Sequence, residues 1–261
     1  MARWGAESGH IAVTVRDDVA VVTLERPEKL NALTVAMRTE LAAILRYFGG
    51  GGSGVRGIAL TGAGRAFSAG EDLYAVAALP PGGMTAGIES FQDITRAALT
   101  ARVPVVAAIN GIAAGGAGEI TLCFDARTGT DAAEFFFPEN GIGLTVSNAA
   151  SMLLPRLAGH RAMRLVMESA RISAREALAF GLLDEIVDQP MLISAAIQTI
   201  HRWTRPGAAT AEHLRLLRPP TGDVERAMAA ETEAIRRAEQ AGLTRAGISR
   251  FTSRRAPGDH V

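Results

Sequence analysis

The sequence predicts an α/β fold that ends in a helical C-terminal part. Short apolar or alternating runs suited to strands alternate with runs of helical spacing over the first three quarters of the chain. Beyond about Met191 the pattern is helical and richer in charge, notably over residues 224–240. The 261 residues, 48% hydrophobic and 21% charged, suffice for one large domain or a domain with a helical appendage. No repeat of fixed period is evident.

Residues 11–15 and 19–24 alternate or run apolar around Asp17-Asp18, the pattern of a hairpin, and Arg26-Pro27 breaks the second strand. From Thr34 onward, Met37, Leu41, Ile44, Leu45 and Phe48 recur at helical spacing. The run Gly49-Gly50-Gly51-Gly52-Ser53-Gly54 should stop that helix, since consecutive glycines lose too much backbone entropy to stay helical. A strand over 57–61 follows, then a glycine-flanked loop to Gly70 and a short helix that Asp72 is placed to cap. Residues 78–87, with Pro80-Pro81-Gly82-Gly83, read as a mobile segment before a helix marked by Ile88, Phe91, Ile94 and Ala98. A buried strand over 104–109 turns at Asn110-Gly111, and glycines 115, 116 and 118 lead into an apolar helix through Cys123. Ser173-Ala174-Arg175-Glu176 is a capping-box pattern whose helix should end at Gly181, before a final strand over 182–187.

Charge and cysteine usage narrow the function classes. Lys+Arg and Asp+Glu both number 27, so nothing draws the chain electrostatically to nucleic acid or to an anionic membrane. Small molecules and protein partners remain. Cys123 is the single cysteine, which rules out an internal disulfide, and the five histidines lie far apart without metal-ligand spacing. No metal is expected. The first ten residues lack the apolar run of a signal peptide, and the longest uncharged stretch, 103–118, is broken by Pro104, Asn110 and glycines. A cytoplasmic protein is the expectation.

Three places unite glycine or proline, a strand end and a polar residue. In Ala69-Gly70-Glu71-Asp72 a glycine between strand and helix lets backbone N–H groups face a ligand oxygen, although a plain capped turn accounts for the same residues. In Gly115-Gly116-Ala117-Gly118-Glu119 the free N–H groups at a helix start could polarise a carbonyl, while Glu119 could be there only for the helix dipole. In Phe135-Phe136-Phe137-Pro138-Glu139 the aromatic run places a carboxylate for partial desolvation, and an exposed glutamate after proline is the alternative. Rival motifs are missing: there is no Gly-Lys-Ser/Thr phosphate loop and no Gly-x-Ser-x-Gly elbow. Gly62-Ala63-Gly64 begins a dinucleotide fingerprint, but Phe67 replaces its third glycine.

Together these segments resemble the crotonase superfamily, the enoyl-CoA hydratase/isomerase family. Arg26-Pro27-Glu28-Lys29-Leu30-Asn31-Ala32-Leu33 looks like its N-terminal signature, and residues 64–73 are similar to its first oxyanion loop. Residues 109–119 resemble the second loop, continued by Cys123-Phe124-Asp125-Ala126-Arg127, and 171–184 match a later helix–strand segment. The likeness runs from about residue 11 to about residue 190, with the motifs in order.

The resemblance implies a crotonase-like spiral of strand–strand–helix turns over residues 1–195 and a C-terminal helical region, 196–261, used in trimer assembly. It implies an oxyanion hole from the backbone N–H groups of Glu71 and Gly116. Lys29, Leu30 and Ala32, with Ala69, Gly70, Asp72 and Leu73, would line the coenzyme A site. Hydratases of the family carry two glutamates, matched here by Glu119 and Glu139, the first for water activation and the second for proton transfer at the α-carbon. Coenzyme A would belong to the substrate, with no separate cofactor, and the assembly would be a homotrimer or a dimer of trimers. An isomerase of the family can work with one carboxylate, and a silent acyl-CoA-binding subunit is a third reading. Two departures stand out. The residue at Glu71 is more often small or apolar, so its side chain should point away from the hole. After Glu139, the usual glycine-rich stretch gives way to Asn140-Gly141-Ile142-Gly143-Leu144-Thr145-Val146-Ser147-Asn148-Ala149, which helps shape the acyl pocket.

Overall fold

A computed structural model describes residues 8–80 and 82–254. Residues 1–7, which belong to the stretch read as lacking a leader, lie outside the described residues, as do Pro81, His260 and the end of the 196–261 region.

The predicted hairpin forms. Strand β1 (Ile11–Arg16) pairs antiparallel with β2 (Val19–Leu24), and Asp17 and Asp18 take φ of 47° and 59°. Two successive left-handed residues give the turn a twist that matches the strands, and aspartate tolerates that region better than most side chains. Helix α1 (Val35–Gly49) starts on Thr34, whose hydroxyl accepts the Met37 N–H at 3.2 Å, and the glycine run ends it as expected. Then come β3 (Gly57–Gly62), β4 (Ala66–Ser68), and α2 (Leu73–Ala77), capped by the Asp72 carboxylate. Next are α3 (Gly83–Gly87), α4 (Glu89–Thr100), β5 (Val105–Ile109), β6 (Ile112–Ala114) and α5 (Gly116–Thr121). The core closes with β7 (Ala126–Gly129), β8 (Glu134–Phe136), α6 (Ala150–Ala158), α7 (Arg161–Met167), β9 (Arg171–Ser173), α8 (Ala174–Phe180) and β10 (Glu185–Ile186). Four helices end the described chain: α9 (Leu192–Trp203), α10 (Thr210–Leu217), α11 (Thr221–Gln240) and α12 (Leu243–Arg254).

The strands form two sheets, β1-β2-β3-β5-β7-β10 and β4-β6-β8-β9. From β3 onward, successive pairs (β3/β4, β5/β6, β7/β8) each give one strand to each sheet, and equivalent strands pair in parallel. This is the strand–strand–helix spiral. It hides from a search for a fixed period because the returns differ: residues 69–104 carry three helices, whereas 115–125 carry one short helix. Strands β3 and β5 are buried on both faces, as parallel strands usually are. Their alternation serves two cores. Ile58, Leu60 and Ala107 face the main core, while Ala59, Val106 and Ala108 pack with Ile197 and Ile200 of α9.

Three sequence expectations change. Helix α5 stops at Thr121, short of Cys123. The final strand shrinks to two residues, because Gly181 closes α8 at φ 79° and the following Leu182 and Leu183 turn into the core. Within 78–87 lies α3. Glu239 of α11 accepts the N–H groups of Gly82, Met84 and Thr85 at 3.0, 3.3 and 3.3 Å and the Thr85 hydroxyl at 2.7 Å. The free N–H groups at a helix start explain why an acidic side chain anchors that segment.

Candidate active site

The first glycine loop hangs on the 26–33 segment. The buried Asn31 side chain accepts the Arg26 N–H at 2.9 Å and donates to Ala63 O and Ala66 O at 2.9 and 2.8 Å. Ser68 Oγ donates to Asn31 O at 2.7 Å and accepts the Gly70 N–H at 3.1 Å, while Leu33 N–H donates to Gly70 O at 2.7 Å. Gly70 has φ 85°, and a Cβ built on it would lie 2.5 Å from Ala114 O and 3.4 Å from Gly116 N. Only glycine permits this approach, so the first loop rests directly on the end of β6 and the start of α5. The amides of Glu71 and Gly116 therefore belong to one small region. Among the described residues, neither N–H donates to another protein group, which for Gly116 follows from its place in the first helical turn.

Glu119 on α5 and Glu139, in a short 3₁₀ turn after β8, border the same cavity of about 60 Å³, with Ala69, Glu71, Leu73 and Gly116. The remaining sequence-predicted residues, Lys29, Leu30, Ala32, Gly70 and Asp72, do not line it. Lys29 is exposed, Leu30 is half-buried, and Ala32 and Gly70 are buried. Asp72 is engaged by Arg26 Nη1 at 2.8 Å; burial works to raise its carboxyl, but Arg26 and the Ala75 and Tyr74 amides hold it below its ordinary value.

The two glutamates differ in partners. Glu119 is 1% exposed; its Oε1 accepts the Ser147 N–H at 2.9 Å, and its Oε2 accepts Ser147 Oγ at 2.5 Å and Asn148 Nδ2 at 2.9 Å. Three of about four lone-pair positions on a carboxylate are thereby used. Glu139 is 5% exposed, and its Oε2 has no hydrogen-bond partner within the protein. Burial pushes the Glu139 carboxyl up to about 7. Burial, reinforced by Glu139 and Glu231, also raises Glu119, against the Ser147 hydroxyl and amide. Two buried carboxyls around one cavity resist carrying two charges together, so the pair favours a single shared proton. Donors favour the charge on Glu119 and their lack favours the proton on Glu139.

The Glu71 carboxylate is turned to Arg38 Nη1 at 2.6 Å, and the Arg38 guanidinium lies 4.3 Å over the Phe91 ring. Glu71 still borders the cavity, with its charge paired rather than distant. Arg38, Ser147 and Glu231 escaped the sequence reading. Arg38 falls on a helix otherwise defined by its apolar stripe, and Glu231 lies in a charged helix with no local mark. Ser147 sat in the segment that departs from the family pattern, which was its one signal. A larger cavity, about 800 Å³, lies on another face between Leu99, Leu153, Trp203 and Leu217; its acidic Asp125 is tied to Arg218 at 2.6 Å, so no free carboxylate pair faces it. Among the described residues no cluster of His, Cys, Asp and Glu is arranged to hold a metal, and no helix is long and apolar enough to cross a membrane.

The spiral with two facing glycine loops at one end is the architecture of a crotonase-type protein. Residues 14–258 match the enoyl-CoA hydratase/isomerase family, and the chain belongs to that family. It is 34% identical over 235 residues to a probable enoyl-CoA hydratase of Rhodobacter capsulatus, covering 90% of this chain and 82% of the relative. It is also 31% identical over 252 residues to the 1,2-epoxyphenylacetyl-CoA isomerase of Escherichia coli, covering 93% and 95% of the two chains. The crystal structure of an enoyl-CoA hydratase from Mycobacterium avium subsp. paratuberculosis superposes with a TM-score of 0.82 at 28% identity, over 97% of this chain and 99% of that one.

Proposed function

We propose that the protein hydrates the 2,3 double bond of an enoyl-CoA thioester, or runs the reverse dehydration. The observation that carries this reading is the pair of buried carboxyls on one cavity beside two unengaged backbone amides. Glu119, whose three donors favour its charged form against the burial that raises its carboxyl, takes a proton from water as the oxygen attacks the β-carbon. Negative charge grows on the thioester oxygen, where the Glu71 and Gly116 N–H groups stabilise the enolate-like state more than the ground state. Glu139 then delivers its proton to the α-carbon. Coenzyme A enters as part of the substrate and no separate cofactor is required.

Loss of enone absorbance on mixing the protein with crotonyl-CoA is the expected result. The small cavity, bounded by Ile142, Leu144 and Ile235, favours a short acyl chain as the first substrate to test. A rearrangement of an acyl-CoA is the second reading: the Escherichia coli relative is named as an isomerase, of an epoxide, and for this chain double-bond isomerisation is the form to test. It would show as enoyl-CoA interconversion without water uptake. No turnover across a panel of chain lengths and aromatic acyl-CoAs would favour a silent acyl-CoA-binding subunit.

Lys29 gives an independent reading of the coenzyme A site, because it is the only lysine in the sequence. It ends the short turn Pro27–Lys29 and is exposed. An amine-acylating reagent should modify Lys29 and the N-terminal amine, and saturating coenzyme A should slow the reaction at Lys29 alone. Equal rates with and without coenzyme A, read by peptide mass spectrometry, would remove Lys29 from that site.

For the assembly, a homotrimer or dimer of trimers in the cytoplasm is the reading that fits the family. Leu216 and Leu217, 69% and 82% exposed beside the larger cavity, form an apolar surface suited to a second copy. No nucleic acid or membrane enters this reading.

A further inference from the structure

We propose that Glu231 is a positioning residue for Glu119, acting through the backbone at the start of α6 and the Ser147-Asn148 clamp. The inference rests on the hydratase reading for the role of Glu119. Glu231 is 4% exposed; its Oε2 accepts the Ala149 N–H at 2.9 Å and its Oε1 the Ser151 N–H at 2.8 Å. These amides stand at the N-terminus of α6, where no side-chain cap is made from within the segment. The two residues immediately before Ala149 supply all three donors to Glu119. One carboxylate thus fixes two amides, and the adjoining Ser147 amide and hydroxyl and Asn148 side chain fix the other carboxylate.

The local backbone needs such support. Asn148 and Ala149 have φ of 59° and 61°, a region that costs an alanine about 1 kcal/mol or more. A serine or aspartate at the cap would satisfy the helix start locally and without a distant partner. This chain instead has Ala149 there and brings a buried carboxylate from α11, which has no ion-pair partner among the described residues. The same stripe of α11, at intervals of four residues, presents Ile235 to the cavity and Glu239 to the start of α3. One helix face therefore aligns the clamp, a cavity wall and the neighbouring segment.

Glu139 and Glu231 are the two acidic groups whose charge acts on Glu119. Removing the Glu231 charge relieves repulsion and favours an ionised Glu119, so a rate loss on neutralising Glu231 would report geometry rather than charge. In Glu231→Gln, kcat for hydration should fall about ten- to a hundredfold, as for a misplaced catalytic group, with KM little changed. Ser147→Ala should do the same. The double variant should be no slower than the slower single variant, because both act on one clamp. Thermal unfolding of each variant ensures that assays run well below its midpoint, and Glu231→Asp, which retracts the carboxylate, replaces Glu231→Gln if that variant does not fold. Independent, multiplying losses, or a kcat within twofold of the parent, would overturn the proposal. Amide hydrogen exchange over residues 144–153 needs no substrate. Faster exchange there in Glu231→Gln supports the clamp even if the parent hydrates no enoyl-CoA, and unchanged exchange refutes it.

Discussion

Glu139→Gln should abolish hydration and make the fold more stable at alkaline pH. The activity loss follows from removing the proton donor to the α-carbon, an effect of about 10²- to 10⁴-fold for a general acid. The stability gain follows from burial, which raises the carboxyl from 4.5 to about 7. A carboxyl raised in the folded state stabilises fully below its unfolded value, and that contribution is lost as pH rises through the folded value. At pH 8 the folded protein therefore carries a penalty on the order of 3 kcal/mol, taking about 1.4 kcal/mol per pKa unit. Glutamine avoids ionisation but leaves a buried amide short of partners, so part of the gain is returned. Thermal midpoints of parent and variant should lie close together near pH 5, with the variant higher at pH 8. The same titration predicts that hydration by the parent weakens as pH rises through about 7, where Glu139 loses its proton. A variant that kept full activity, or shared the parent's pH dependence of stability, would sink both the role and the raised carboxyl.

Arg38→Met should cost both stability and turnover, and a second substitution should restore them. The Arg38 side chain is 2% exposed and that of Glu71 13%, so the pair is largely out of water. Removing one partner of a buried pair costs about 3–5 kcal/mol because the other charge is left uncompensated. Here that charge is Glu71, whose own amide is a proposed oxyanion donor, so an unpaired carboxylate would oppose the charge growing on the thioester oxygen. Arg38→Met with Glu71→Leu replaces the pair by apolar volume, an exchange that is often neutral. The double variant should recover most of the thermal midpoint and of kcat lost in Arg38→Met. If the single variant is stable and active, the pair has no such role; if the double variant stays as impaired as the single, the loss belongs to the Arg38 stack on Phe91 instead.

These expectations show where sequence was a sufficient guide. The hairpin at Asp17-Asp18, the caps at Asp72 and Ser173, and the stop at Gly181 all depend on residues within a few positions of each other. Local steric and hydrogen-bonding rules decide such features, so they are legible before any fold is known. The strand formed is shorter than the one expected over 182–187 because Leu182 and Leu183 are apolar for the core and not for a ladder; hydrophobicity alone does not separate those uses. The prolines and glycines of 78–87 predict a mobile segment, whereas its anchor, Glu239, lies on a helix distant in sequence.

By itself the sequence determined an α/β core followed by helices, and it marked Glu119, Glu139 and the glycines at 70 and 116 as the places where chemistry could gather. On local grounds neither glutamate was distinguished from an ordinary helix-start or surface acid. Tertiary structure brought them to one cavity, buried both, and gave them unequal partners. It also paired Glu71 with Arg38 and linked Glu231 to the Glu119 clamp. The physical reason is that desolvation and charge coupling depend on what surrounds a carboxylate in space, and those surroundings come from elements far apart along the chain.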